Sequence, residues 1–343
     1  MTSEKILLNA LEGKEVERTP VAPLITMGHA ALISGVAYRD YMLKPEIYAK
    51  AQVFAKRHYG YDWVWAHQVF QGVTAEEKKG IEKKEDETLL TLEIGTKYKI
   101  PKEGAPHIIE RALKSKEELN ELQIPDLHAK ERVMPIKLML EKEKFVAGNM
   151  RCPFTLASDY IYELEKFLID LKIDRQFIRK LLDFSLEYCA EAIDAQISAG
   201  VSAVFIEDPN ASPNLISPRD AREFAFPYTQ KLIKRIGGEV PIILHICGNV
   251  ESILDDMAKT KAQAISVDET VDMKKVLAKN VIAWGNVNPR LLARGSREEV
   301  KKACEDIIKF GDGIVLSSGC VVPKNAKEEN VKEMVLAAKC SKF

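Results

Sequence analysis

The chain has 343 residues, 46% of them hydrophobic and 29% charged, and a net charge of −1. That length gives one large domain or two ordinary ones, and a surface so near neutrality recruits neither nucleic acid nor an anionic membrane. Residues Met1–Lys14 are mixed and charged where a secretion signal needs an apolar centre, and no run reaches the length of a membrane span, so a cytoplasmic protein is expected.

In chain order, a first helix is expected over about Glu4–Glu12, followed by a strand at Val21–Ile25. A helix starting near Pro45 leads into a strand at Tyr61–Ala66. The stretch Gly80–His107 breaks this rhythm. Within it Glu87–Ile100 alternates and turns at Gly95, which reads as a hairpin inserted on the top face and closed by Pro101 and Pro106. The Lys/Glu run Glu76–Glu87 reads as a solvated edge. From residue 141 onward a short apolar strand and an amphipathic helix alternate. The strands are Phe145–Met150, Val201–Asp208, Pro241–Cys247, Ala264–Asp268, Val281–Val287 and Gly313–Cys320. Between Asp174 and Ala199 the residues Phe177, Leu181, Tyr188 and Ala192 share one helix face, with Asp174 as its cap and Gly200 as its stop.

Eight short strands alternating with helices imply a parallel sheet. In this length they imply a single α/β domain over residues 1–343, a (β/α)8 TIM barrel with the hairpin insertion near residues 80–107. An open doubly wound sheet would carry a Gly-rich phosphate turn after an early strand, and the sequence has none.

Six cysteines lie at 152, 189, 247, 304, 320 and 340. Their spacing gives no disulfide framework, and a chain of this size needs no staples. Cys189, Cys304 and Cys340 fall in helical patterns, and Cys152 in the loop Asn149–Pro153.

Chemistry in such a barrel gathers at the carboxyl ends of the strands. Those ends deliver His67, then Asn149 and Arg151, then Glu207 and Asp208. His245 and Cys247 follow, then Asp268 and Glu269, Asn286 and Asn288, and Cys320. His245 and Cys247 are two apart on a strand and point to one face. With Cys320 they offer one imidazole and two thiols, soft ligands suited to zinc, with the open fourth position of a catalytic site. Taken singly, each has a plainer reading as a satisfied core histidine or a small core cysteine.

Asp268 is the natural fourth, replaceable partner. Its plainer roles are to cap the next helix or to accept a bond from a ligand histidine. Asp208 reads as a catalytic or supporting carboxylate, with Glu207 free to face the rim or the helix layer. Zinc with two thiolates lowers the pKa of an added thiol or acts as a Lewis acid on an ether oxygen. Both routes suit transfer of an alkyl group.

At this point the residues match a known family. The matching segments are Arg18-Thr-Pro-Val, Gly72–Glu76, Pro153-Phe-Thr-Leu-Ala, Asp208-Pro, Leu215-Ile-Ser-Pro, His245-Ile-Cys-Gly-Asn, Gly285-Asn-Val-Asn-Pro and Ser318-Gly-Cys. Over nearly its whole length the chain resembles the uroporphyrinogen decarboxylase superfamily. Within that superfamily it resembles the zinc-dependent corrinoid methyltransferases, the group that includes the methylcobamide:coenzyme M enzymes. The His-x-Cys-Gly pattern and the late Gly-Cys are the specific part.

The resemblance implies a TIM barrel with zinc held by His245, Cys247 and Cys320. Asp268 stands where the coenzyme M enzymes have a displaceable carboxylate, although a Glu is expected there. The implied partner is a small separate corrinoid protein, with methyl passing between its cobalamin and a small molecule. That molecule is either a thiol such as coenzyme M or a methoxylated (phenyl methyl ether) compound. Arg151 is the available cation for a sulfonate, and Asn149, His67 and Asn286 are further substrate contacts. Trp63 and Trp65, with Tyr38 and Tyr41, either line a mouth for a phenyl ether or pack under the helices.

Decarboxylases of the superfamily grip tetrapyrrole carboxylates with an early arginine-rich segment. Here that region reads Pro23-Leu-Ile-Thr-Met-Gly-His-Ala, with no arginine until Arg39, which leaves a polyanionic substrate without partners. A non-catalytic zinc- or corrinoid-binding subunit is the remaining alternative. A cobalamin-independent methionine synthase would be a longer, duplicated chain, and no repeat is present.

Overall fold

The computed structural model describes residues 1–67, 73–102 and 104–341. Gly72 of the Gly72–Glu76 motif lies outside the described residues. In chain order the strands are β1 (Val64–Trp65), β2 (Glu82–Lys83), β3 (Glu87–Thr91), β4 (Lys97–Pro101), β5 (His107–Glu110), β6 (Val146–Arg151), β7 (Ala203–Glu207), β8 (Ile242–Ile246), β9 (Ala264–Val267), β10 (Ile282–Val287) and β11 (Ile314–Ser318). Seven of them form one parallel sheet in the order β1-β6-β7-β8-β9-β10-β11, and β2 to β5 form a separate antiparallel sheet. Helices cover the parallel sheet, so its strands are apolar along their length: every residue of β8, β9 and β11 is buried, as both-face coverage requires.

The expected strand Val21–Ile25 shrinks to a single bridge between Val21 and Leu316 of β11. Pro20 and Pro23 carry no N–H, so a ladder cannot run through them. The segment still links the two edges of the sheet. Ala22 N donates to Leu316 O at 2.9 Å and Leu316 N to Pro20 O at 2.9 Å, while on the other side Asp62 N donates to Val21 O at 2.9 Å. Asp62 secures this join. Its buried carboxylate accepts from Val21 N at 2.8 Å and from both Arg18 terminal nitrogens at 2.8 and 2.6 Å.

The helix Arg175–Ser198 starts at Asp174, whose side chain accepts from Phe177 N at 3.1 Å, and the chain leaves it through Gly200 at φ +102°. Inside the sheet, Trp63, Trp65, Phe205 and Trp284 pack ring to ring, with centroids 4.9–5.9 Å apart for the pairs Trp63–Trp65, Trp63–Trp284, Trp63–Phe205 and Trp65–Phe205. Both early tryptophans are therefore core and neither lines a mouth. They fill the inner face of the sheet rather than the space under the helices, because 63, 65, 205 and 284 all alternate inward.

The antiparallel sheet has the Glu87–Pro101 pair at its centre, turning through Gly95 at φ +102°, with β2 and β5 added on either edge. The run Glu76–Glu87 is not wholly a solvated edge. Glu77 is buried and takes two bonds from Arg132, at 3.0 and 2.8 Å, and one each from Thr74 N and Glu93 N. One carboxylate thus ties the antiparallel sheet to the helix Lys130–Leu140. No helix among the described residues is long and apolar enough to cross a membrane.

Candidate metal centre

Three strands end side by side in exact order of use: Glu207 on β7 is in register with His245 on β8, and His245 with Ser266 on β9. Register in a parallel sheet turns side chains to one face, so all three reach the inside of the rim. His245 is buried, with Nδ1 3.0 Å from Ser266 Oγ and Nε2 3.1 Å from Cys247 Sγ. Cys247, just past β8, lies 3.8 Å from Cys320 Sγ, just past β11. The ligand atoms of His245, Cys247 and Cys320 all fall within 4.8 Å of one another.

Two thiolates bound at about 2.3 Å to one tetrahedral ion stand roughly 3.8 Å apart, the separation found here. Ser266 is the polar neighbour that would fix the imidazole with Nδ1 bonded and Nε2 free for metal. The donor set therefore fits zinc.

The glycines after and before the thiols are needed for close approach. Gly248 has φ +80°, and a Cβ there would lie 2.5 Å from Asn214 Nδ2; at Gly319 a Cβ would lie 2.7 Å from Glu269 N. The Cys247 hydrogen bond, aided by His245 and opposed by burial, draws the Cys320 thiol well below its ordinary range, while Cys247 is raised by its bond to Cys320 and by burial. Burial works against charging His245, but the bond to Cys320 and the charges of Cys320, Glu207 and Asp268 raise it.

The other residues expected at the rim divide. Asp268 is not in the compact group; its carboxylate accepts from Gly248 N and Thr270 N, both at 3.2 Å. Burial opposes its ionisation, yet bonds from Glu269 and these two amides hold its pKa low, and Glu269 is raised by burial and by Asp268. Sequence reading singled out Asp268 and gave Glu269 no role, although two adjacent acids at a strand end are the signal. Asn286 anchors the same loop, donating to Asp268 O at 3.0 Å and Val271 O at 2.8 Å.

Asp208 faces away from the cluster. It is buried and accepts from Thr155 N at 3.0 Å and Thr155 Oγ1 at 2.7 Å. Glu207 is the carboxylate turned inward: Asn149 donates to it at 3.1 Å and His67 Nε2 lies 3.8 Å away. Burial opposes its ionisation, but the charges of His67 and Arg151 with the Asn149 bond keep its pKa low. His67 is lowered, chiefly by burial. Arg151, in register with Glu207, makes no guanidinium hydrogen bond or ion pair among the described residues.

Burial lifts the Asp208 carboxyl from 3.8 to about 7, against the two Thr155 donors. The folded chain then keeps a proton that the unfolded chain releases above about pH 4, so this group's contribution to stability falls as pH rises from about 4 to 7. Asp208→Asn removes that slope. Urea unfolding is expected to show the variant gaining on the wild type between pH 5 and pH 7.5; a constant difference would contradict the assignment.

The fold and the cluster together define a class. The family model for uroporphyrinogen decarboxylase (URO-D) matches residues 86–340, and the chain belongs to that family. It is 29% identical over 345 aligned residues to methylcobamide:CoM methyltransferase MtaA of Methanosarcina barkeri, covering 96% of each chain. To methylcobamide:CoM methyltransferase MtbA of Methanosarcina acetivorans it is 30% identical over 248 residues, 69% of this chain and 72% of that one. A solved methyltransferase structure from Methanosarcina mazei superposes with a TM-score of 0.83 at 27% identity, over 99% of this chain and 98% of the other.

Proposed function

We propose that the protein is a zinc-dependent methyltransferase that moves a methyl group from a corrinoid, carried on a separate small protein, to a small thiol of the coenzyme M kind. The observation that carries this reading is the His245–Cys247–Cys320 group with its 3.8 Å sulfur separation. The names of the full-length relatives support the corrinoid and the thiol. In this reading the parallel sheet is a (β/α)8 barrel in one domain. The Val21 segment takes the eighth position, and the antiparallel sheet is an insertion.

His245, Cys247 and Cys320 would hold the zinc, and Ser266 would orient the imidazole. Bound there, zinc supplies Lewis acidity at an open position and lowers the pKa of an incoming thiol. The rest falls to the chain's own side chains. Asp268, with Glu269 beside it, accepts the thiol proton or gives up its position to the substrate. Arg151 takes an anionic tail. It is two strands from His245 in the same row, roughly 10 Å between Cα atoms, a span suited to a short thiol with an acid at its far end. Asn149 and His67 hold Glu207 as a carboxylate, which offsets positive charge on the His245 side of the row. Asn286 fixes the loop that carries Asp268. The tryptophan layer below excludes water from the floor of the site.

Phenyl methyl ethers lose their sequence support because Trp63 and Trp65 are buried. Decarboxylation lacks the arginines that it needs. Transfer assays on the zinc-loaded chain separate the readings. Methylcob(III)alamin with 2-mercaptoethanesulfonate is expected to yield the methyl thioether, and cob(I)alamin with aryl methyl ethers no methylcobalamin. The reverse pattern would invert the direction, and no turnover with either would leave only a binding subunit.

A further inference from the structure

A cavity of about 110 Å³ lies on the other side of Arg151, between β6, the antiparallel sheet and the helices Lys130–Leu140 and Arg175–Ser198. Among the described residues Ala66 N, bonded to Ala147 O, is the last of the β1 edge to bond β6, and further along β6 the Asn149 N and O are taken by the Gln196 side-chain amide at 2.9 and 3.1 Å. Three phenols, Tyr98, Tyr160 and Tyr188, face the space, with Leu127 and Leu156 among its apolar walls. Burial raises all three phenols, Tyr188 to about 12, so they remain neutral donors.

Two guanidiniums line the cavity. Arg132 is committed to Glu77 by two bonds. Arg151 has no such partner among the described residues, and it stands between the cavity and the row of Glu207 and His245. Glu207 feels its charge from the next strand, but a guanidinium in a partly buried wall with no carboxylate bonded to it is costly unless an anion meets it.

We infer that this cavity is a binding site for a small organic anion with an apolar body, a carboxylate or a sulfonate, whose charge is taken by Arg151 and whose body lies among the three phenols. A dry cavity of roughly 150 Å³ admits benzene, so the body is at most about ring-sized. Binding does not rest on the methyl-transfer reading. One consequence does: a ligand here occupies the guanidinium that an anionic methyl acceptor needs, so the two compete.

The test is calorimetric titration of the full chain with benzoate, benzenesulfonate and benzyl alcohol, with Cys320→Ala run in parallel. At least one anion is expected to bind once per chain, in the wild type and in Cys320→Ala alike, and the alcohol at least about tenfold more weakly for want of a charge-assisted bond. Which anion binds tells carboxylate from sulfonate. Ala192→Phe, which fills the cavity, is expected to abolish binding, and Arg151→Met to weaken it by at least about tenfold. Among the described residues Arg151 has no bonded partner to lose, so its variant keeps the test decisive should Ala192→Phe not fold. Equal binding of the alcohol, undiminished anion binding in Arg151→Met, or no binding by the folded wild type would each overturn the site. Competition is read separately, as a rise in the KM for 2-mercaptoethanesulfonate with added anion.

Discussion

Replacing Cys320 by alanine is expected to empty the metal centre and remove methyl transfer while leaving the fold intact. Cys320 is one of three donors and comes from the far strand β11, so its loss leaves His245 and Cys247 as a two-ligand site. Loss of even an outer hydrogen-bond partner costs about 10–100-fold in metal affinity or activity, and a lost thiolate costs more. Zinc per chain, measured after gel filtration in weak chelator, should fall from near one to near zero, and turnover by more than about 100-fold. The thiol is partly exposed and lies just past the end of β11, so the melting temperature of the metal-free protein should barely move. Full zinc in the variant would mean that the three side chains do not form the site.

The second large effect is structural. Asp62→Ala removes the carboxylate that binds Arg18 and Val21 N, at the join between the first segment and β1. Arg18 is then left largely buried without its counter-charge, and Val21 N loses its acceptor. Breaking one side of a buried ion pair costs about 3–5 kcal/mol, which urea unfolding will register as a lower midpoint. Replacing both partners, as Arg18→Met with Asp62→Leu, should recover much of that loss, because no buried charge is left unpaired. A cost in the single variant no larger than in the double would show that the pair does not hold the join.

The contrast between these two sites explains what the sequence made legible. The strands from β6 to β11 were readable because burial on both faces leaves short, nearly uninterrupted apolar runs between amphipathic helices. The metal group was readable because two ligands share one strand end and the third ends another. Val21–Ile25 misled because its apolar pattern suits a strand while Pro20 and Pro23 forbid the ladder. Glu207 and Asp208 were not separable by type. Only the register of β7 against β8 decides which of two adjacent acids turns inward, and register is a tertiary fact. The same holds for Glu77, whose burial depends on Arg132 from a distant helix, and for the cavity beside Arg151, whose walls come from segments far apart in the chain.

The measurement that bears most directly on the central claim is zinc-edge X-ray absorption on the loaded protein, before and after adding 2-mercaptoethanesulfonate. Two sulfur neighbours at about 2.3 Å with an imidazole nitrogen are expected, and a third sulfur once the thiol is present. A zinc ion without sulfur neighbours, or a sulfur number that stays at two under saturating thiol while methyl transfer proceeds, would contradict it.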